Sequence, residues 1–134
     1  MFSVPDNRAV SFEPLAAICP GQAAPVVRAL PDGDREMVTM SWGFVLLQDG
    51  KAPKRVTNTR DDKVASRFWR ASLEQRRCLV PASSFCEPRD HVKPATWHWF
   101  ALQGDAARPP FAFAGLYAQT LLRHVGLQNF CFPV

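Results

Sequence analysis

The amino-acid sequence predicts an α+β, β-dominant fold in a single domain that spans residues 1–134. Apolar, β-branched runs alternate with turn signals, and only one stretch has clear helical periodicity. Proline and phenylalanine are frequent, with 12 and 10 copies, and this favours a loop-rich β fold over a helical bundle. A chain of this length has room for one hydrophobic core and hardly for two domains.

The first predicted element is a β-hairpin. Residues 1–24 look irregular, with a turn at residues 19–22. Two apolar runs, residues 25–30 and 36–46, then flank the short segment Pro31-Asp32-Gly33-Asp34. An Asp-Gly turn between β-branched runs is a strong hairpin signal, and it puts Trp42 on the second strand.

One helix is predicted over about residues 63–75, with Asp61 or Asp62 as its N-cap. Three apolar side chains recur at helical spacing and are expected to face the core: Val64, Phe68 and Ala71. Three cations would share another side of the helix: Lys63, Arg67 and Arg70.

Further strands follow the predicted helix. Residues 78–80 indicate a buried strand, which Pro81 confines to a sheet edge or a strand end. Residues 97–102 and 111–117 indicate two more, so at least five strands are expected. Residues 121–134 show no clean period and end on apolar residues, so we expect the fold to be incomplete at this C-terminal end.

Charge and cysteine usage narrow the classes of partner and cofactor that the sequence allows. The net charge is +4, and residues 54–77 alone carry eight Lys/Arg against three Asp/Glu. This cluster fits a phosphate-backbone partner or, equally simply, a solvated helix face. There is no C-x-x-C pair, no histidine at metal-ligand spacing, no signal peptide and no membrane-length apolar run. We therefore expect a cytoplasmic protein with free thiols, no metal, no cofactor and no membrane partner.

Several polar side chains could carry chemistry. Asn58 ends a strand-like run, where a carboxamide can both donate and accept hydrogen bonds, or simply close a turn. Glu87 follows Phe85-Cys86, so either burial raises its pKa towards general acid–base work or it is an exposed turn residue. Arg60 is suited to clamp a phosphate, or to pair with a neighbouring aspartate.

The four tryptophans are candidates for stacking on unpaired bases: Trp42, Trp69, Trp97 and Trp99. Most tryptophans lie in cores, and at least two of these are expected to do so. The three histidines have no sequence neighbour that marks them as bases: His91, His98 and His124.

A set of ordered motifs resembles one known family, the SOS response-associated peptidase (SRAP) family. The resemblance runs from about residue 16 to 117 and rests on these strings: Trp42-Gly43, Thr57-Asn58-Thr59-Arg60, Arg77-Cys78-Leu79-Val80-Pro81, Phe85-Cys86-Glu87 and Phe111-Ala112-Phe113-Ala114-Gly115-Leu116. The resemblance implies a mixed β-sheet or barrel core with few helices. It also implies recognition of abasic sites in single-stranded DNA.

In that family, an N-terminal cysteine exposed by Met removal condenses with the abasic-site aldehyde to give a thiazolidine. The resemblance assigns Asn58 to positioning this terminus and Glu87 to moving protons. It assigns DNA binding to Arg60, and we add Trp42 and Arg77 as expected DNA-binding residues.

The sequence departs from this pattern at its start and in its last third. It opens Met1-Phe2-Ser3 without a cysteine, and His124 does not match the family's later histidine. Either a Met-Cys-Asn start lies upstream, which the in-frame codons would reveal, or the chain is a degenerate copy. Four interpretations stay open: a crosslinking DNA-damage protein, a non-catalytic single-stranded DNA-binding remnant, a peptidase limited to self-processing, and an inert structural remnant.

Overall fold

The computed structural model describes residues 2–89, 93–104, 108–122 and 125–133. The chain divides into two compact units, Met1–Val80 with Ala114–Val134 and the intervening Pro81–Phe113. Within the described residues there is one α-helix, α1 (Arg70–Gln75), and two short 3-10 turns, Asp6–Arg8 and Asp61–Lys63. The strands are β1 (Ala23–Ala29), β2 (Arg35–Trp42), β3 (Phe44–Leu46), β4 (Lys54–Val56), β5 (Asn58–Thr59), β6 (Arg77–Ala82), β7 (Phe85–Pro88), β8 (Trp97–Phe100), β9 (Phe111–Leu122) and β10 (Val125–Pro133).

The main sheet closes into a five-stranded barrel. Its strand order is β2-β1-β6-β9-β10-β5, and β10 also pairs in parallel with β2 through Phe130↔Trp42. This last pairing joins the first strand, β2, to the fifth, β10, and so closes the barrel. Strand β5 also pairs with β10, through Phe132↔Asn58. The predicted β-dominant fold with a barrel core and few helices is therefore confirmed.

The predicted hairpin is confirmed, with one difference. Strands β1 and β2 pair antiparallel from Ala23↔Ser41 to Ala29↔Arg35 around the Asp-Gly turn. The second strand was expected to continue to residue 46, but it breaks at Gly43, whose φ is +108°. The chain then re-enters extended structure as β3, which pairs with β4 instead.

The predicted helix is confirmed over residues 70–75 and is wrong over residues 63–69. Residues 61–69 form a series of tight turns whose amides bond three residues back, such as Ser66 N–H to Lys63 O at 2.9 Å. The α-helix begins only at Arg70, with Trp69 as an N-cap that makes no side-chain capping bond. Because the helical period does not apply before residue 70, the three cations do not share one helix face.

The inward-facing residues of this segment also differ from the prediction. Phe68 is 42% exposed, and Ala71 is exposed, whereas Trp69 is 5% exposed and occupies the core. Its ring lies 4.8 Å from that of Phe44, and Val64 packs against the same cluster. The larger indole buries more apolar surface than the phenyl ring beside it, and this decides which aromatic turns inward.

The tail shows no clean period in the sequence, yet residues 125–133 form β10. Phe130 is 1% exposed and Cys131 is 0% exposed, so two of its side chains belong to the core. Between β6 and β10, Gly115 of β9 makes room for the Cys78 thiol, since a Cβ there would lie 2.8 Å from Cys78 Sγ. The tail is thus a structural strand of the barrel.

The second unit contains a smaller two-stranded sheet. Strands β7 and β8 pair antiparallel from Phe85↔Phe100 to Pro88↔Trp97. The strands predicted at residues 78–80, 97–102 and 111–117 are all present, and Pro81 lies near the end of β6, as expected. No helix among the described residues is long and apolar enough to cross a bilayer.

Candidate functional site

The polar motif residues of the first unit are organised around a sharp bend, the Gly43 corner (residues 41–44). Gly43 has a φ of +108°. This conformation is energetically unfavourable for any residue that carries a side chain. A Cβ at this position would lie 2.5 Å from Cγ of Arg55. The corner therefore requires glycine for its backbone conformation and also because Arg55 passes directly over it.

Arg55, on β4, fastens the corner from outside. Its Nη1 donates to the carbonyl oxygens of Trp42 and Gly43, both at 3.1 Å, and to Ser41 Oγ at 3.4 Å. From the other side, the Gly43 amide donates to Phe130 O at 2.7 Å. The corner is thus tied to β4 and β10 together. Sequence reasoning missed Arg55, and no local motif marks it.

Trp42 connects this corner to the Asn58 strand. Its Nε1–H donates to Thr57 O at 3.0 Å, and its ring stacks on Phe130 with a centroid distance of 6.4 Å and an interplanar angle of 16°. Thr57 directly precedes Asn58, so the indole fixes the backbone from which Asn58 extends. The structure therefore places Trp42 against the residue that precedes Asn58.

Asn58 and Thr59 form the short strand β5, paired in parallel with β10 through Phe132↔Asn58. Alternation along the strand buries Thr59, which is 2% exposed, and leaves Asn58 exposed. The carboxamide is therefore open to a ligand while its backbone is held on one side by β10 and on the other by Trp42.

Arg60 follows immediately and is paired with Asp62. Its Nε and Nη2 donate to Asp62 Oδ1 and Oδ2 at 3.0 and 3.2 Å, in a bidentate arrangement. The arginine side chain is 76% exposed, and an exposed pair of this kind contributes only about 0–1 kcal/mol. A phosphate can therefore compete with Asp62 for this guanidinium.

Arg77 is not brought to the same place. It begins β6, where the neighbouring residue Cys78 pairs with Arg28 near the hairpin-turn end of β1. Trp42 lies at the other end of the β1–β2 hairpin. Arg77 is exposed, but along the strands it lies far from the Gly43 corner.

The first described residues also lie at the hairpin-turn end. The Phe2 carbonyl accepts a hydrogen bond from Arg35 Nη1 at 3.0 Å, and Arg8 pairs with Asp32 and Asp34 in the turn at 3.0 and 3.2 Å. The hydrogen bond from Arg8 holds the pKa of Asp32 below its ordinary value. Strand β2 separates this end from Trp42 by about 23 Å, at about 3.3 Å per residue.

Glu87 lies on β7 in the second unit, directly opposite His98 of β8. The sequence left two alternatives for this carboxylate, partial desolvation at a buried strand end or an exposed position. Glu87 and His98 are both exposed and the preceding strand residues are only half-buried, so the exposed alternative holds. His91 and His124 lie outside the described residues.

The two cysteines of the core are poorly suited to act as nucleophiles. Cys78 and Cys131 are buried, and desolvation raises the pKa of each thiol to about 12. Both therefore stay protonated near neutral pH, and the thiolate is the reactive form. Cys19 is exposed and Cys86 is half-buried; all four are free thiols. Within the described residues, no group of three or more metal-ligating side chains comes together.

The tryptophans divide differently from the expectation that at least two would be core residues. Only Trp69 is buried, and Trp42 is half-buried. Trp97 and Trp99 are 59% and 55% exposed.

Comparison with known proteins identifies the family. The sequence matches the family described as SOS response associated peptidase (SRAP) over residues 1–128. This chain belongs to the SRAP family. The match extends beyond the residues 16–117 on which the motif resemblance rests, and it takes in part of β10. No curated protein matches the chain.

Solved structures share the fold of this SRAP chain. A protein from Bordetella bronchiseptica matches with a TM-score of 0.72 at 20% identity, covering 98% of this chain and 64% of its own. A phage-related protein from the same organism gives 0.60 at 23% identity, with coverages of 87% and 54%. A Bacteroides thetaiotaomicron protein gives 0.61 at 16%, with 84% and 50%. The chain thus spans half to two thirds of the length of these structures.

Proposed function

We propose that this SRAP chain binds single-stranded DNA that carries abasic sites, as part of the DNA-damage (SOS) response. The observation that carries the proposal is the exposed Asn58 carboxamide on a firmly held strand, with the Arg60 guanidinium two residues away. Family membership supports DNA as the partner.

Asn58 and Arg60 have complementary roles in this proposal. Arg60 exchanges its exposed aspartate for a backbone phosphate and holds the strand. Asn58 donates to, and accepts from, the hydroxyl or aldehyde groups of the baseless sugar. Because the backbone of Asn58 is fixed by Trp42 and β10, the carboxamide needs little reordering when DNA binds.

The role of Glu87 is part of the same proposal. We propose that this exposed carboxylate moves protons during opening of the abasic sugar. Its exposure means that Glu87→Gln should affect the rate of sugar opening more than DNA affinity.

The test is an equilibrium measurement. The protein is titrated against an oligonucleotide with one abasic site and against the matching intact strand. We expect tighter binding to the abasic strand. Asn58→Ala should remove the preference, a loss of about 1 kcal/mol, whereas Gln75→Ala, an exposed carboxamide on α1, should not.

The salt dependence tests Arg60 separately. Replacing Arg60 by Gln should reduce the slope of log affinity against log salt by about one phosphate contact. Equal affinity for abasic and intact strands would contradict the role of Asn58, and absence of any binding at low salt would overturn the proposal.

A further inference from the structure

The β7–β8 hairpin has two different faces. In an antiparallel pair, residues directly opposite each other share a face, so Trp97 with Pro88 and Trp99 with Cys86 lie on one side. The pairs Phe85 with Phe100 and Glu87 with His98 lie on the other. The hairpin therefore presents both of its indoles in the same direction.

The second face is packed within its own unit at its Phe85 end, whereas Glu87 and His98 on the same face are exposed. The Phe85 ring lies 5.1 Å from Phe100 and 5.4 Å from Phe113, and Phe111 and Phe113 are 5.2 Å apart. Contacts between aromatic rings at these distances stabilise the strand pair. The tryptophans thus extend from a hairpin that is supported from behind.

The first face is open. Trp97 is 59% exposed and Trp99 is 55% exposed, although tryptophan is among the side chains that gain most from burial. They are two residues apart on one strand, which separates their attachment points by about 6.6 Å. Two exposed indoles at this spacing form a surface on which flat ligands can stack in succession.

The charges around this face favour a nucleic acid over an apolar protein surface. Arg89 follows Pro88, and its amide donates to Thr96 O at 2.7 Å, so it lies beside the Trp97 end of the hairpin. Lys93 is exposed in the same connection. Glu87 lies farther from this end of the hairpin, on the same face as Arg89 by strand alternation. Asp90, between the two cations in sequence, lies outside the described residues. Cations beside aromatic rings are what single-stranded nucleic acids require, because the rings take the bases and the cations take the phosphates.

We propose that Trp97 and Trp99 form a stacking platform for two successive unpaired bases of single-stranded DNA. This inference rests on the proposed function and adds to it the residues that hold the intact part of the strand. The platform does not read the abasic sugar. It supplies affinity that is independent of base sequence, because every base has a π face.

The experiment measures binding of intact single strands of about 16 nucleotides to the full chain, at several salt concentrations. The variant is Trp97→Ala/Trp99→Ala, and the matched control is Leu102→Ala, an equally exposed apolar residue beyond β8. We expect the double variant to bind at least about 25-fold more weakly, since stacking on one aromatic contributes about a 5- to 150-fold gain. The salt slope should be unchanged, because no phosphate contact is removed.

Two further double variants identify the interaction as stacking. Trp97→Phe/Trp99→Phe keeps the π faces and should retain most of the affinity. Trp97→Leu/Trp99→Leu keeps apolar bulk without π faces and should resemble the alanine variant. Equal binding by the leucine variant and the wild type would overturn the proposal, and so would a drop caused by Leu102→Ala of the same size.

The result also separates this inference from the proposed function. If the wild type binds single strands and the alanine double variant binds equally well, the platform is wrong and the proposed function stands. If the wild type binds no single strand, both are wrong. If sedimentation shows that the alanine variant loses self-association while its DNA affinity is unchanged, the face is an interface between two copies and the platform is wrong.

Discussion

The Gly43 corner and the β7–β8 hairpin both carry tryptophan, and they use it in opposite ways. At the corner, the indole N–H of Trp42 is bonded to Thr57 O and the ring lies half-buried on Phe130. On the hairpin, Trp97 and Trp99 remain more than half exposed. The corner therefore uses its indole to hold backbone, whereas the hairpin leaves its indoles available to a ligand.

A tryptophan in a sequence motif can therefore serve to hold the backbone of a neighbouring strand, while tryptophans outside the motifs are exposed to a ligand. Trp42 belongs to one of the ordered motifs, and the sequence suggests that it binds DNA. Its geometry is that of a positioning residue for Asn58. The exposed pair lies outside every motif, so only the structure draws attention to it. The predictions below test this division between supporting and available aromatic residues, and also the backbone of the corner that Trp42 supports.

The largest expected effect is on stability, from the buried tryptophan. Trp69→Ala should lower the free energy of unfolding by about 3–5 kcal/mol, because it leaves a cavity beside Phe44 and Leu116. Trp99→Ala is the matched change at an exposed position and should stay within about 0.5 kcal/mol. Chemical denaturation followed by circular dichroism measures both. Similar losses for the two variants would show that the hairpin face is buried in solution, which would contradict its availability to a ligand.

The next largest effect is also on stability and tests whether the Gly43 corner requires glycine. Gly43→Ala should cost about 2–4 kcal/mol, because alanine meets a disfavoured φ and also the Arg55 side chain. Gly33→Ala is the control, since Gly33 has a φ of +90° but nothing within 4 Å of a Cβ. It should cost only about 1–2 kcal/mol for its backbone conformation.

A double-mutant cycle separates the two parts of the Gly43 effect. Combining Gly43→Ala with Arg55→Ala removes the steric contact and leaves only the φ penalty. The double variant should therefore be more stable than the sum of the single changes predicts, with a coupling of about 1 kcal/mol or more. Strict additivity would mean that Arg55 moves away freely and does not fasten the corner.

Local signals predicted those parts of the fold that depend on local chemistry. The Asp-Gly turn defined the β1–β2 hairpin, and β-branched or aromatic runs located β6, β8 and β9. The helix prediction failed over residues 63–69 because helical spacing of Val64, Phe68 and Ala71 could not reveal that Trp69 would take the core position. In that segment tertiary packing overrode local periodicity.

Residues 125–133 show that local sequence patterns can also fail to reveal a strand. Strand β10 has no alternating pattern because it pairs with β9, β2 and β5 at different points along its length. Its identity as a strand comes from those partners and not from its own residue types. The corner is similar: Arg55 and Thr57 meet Trp42 only after β4 and β5 have folded against it, so sequence motifs indicated Trp42 and Asn58 without the contacts that join them.

The smallest expected effect tests whether Trp42 supports Asn58 or binds DNA itself. Trp42→Phe keeps an aromatic ring on Phe130 and removes the hydrogen bond to Thr57 O, so it should cost about 0.5–1.5 kcal/mol of stability. If Trp42 acts by positioning Asn58, the variant should lose preference for the abasic strand while its affinity for the intact strand is kept. If Trp42 stacks on bases, phenylalanine should preserve the preference, and Trp42→Leu should weaken binding to both strands equally. Measuring the ratio of the two affinities cancels any general loss of folded protein, so it reports on the contact from Trp42 to the Asn58 strand alone.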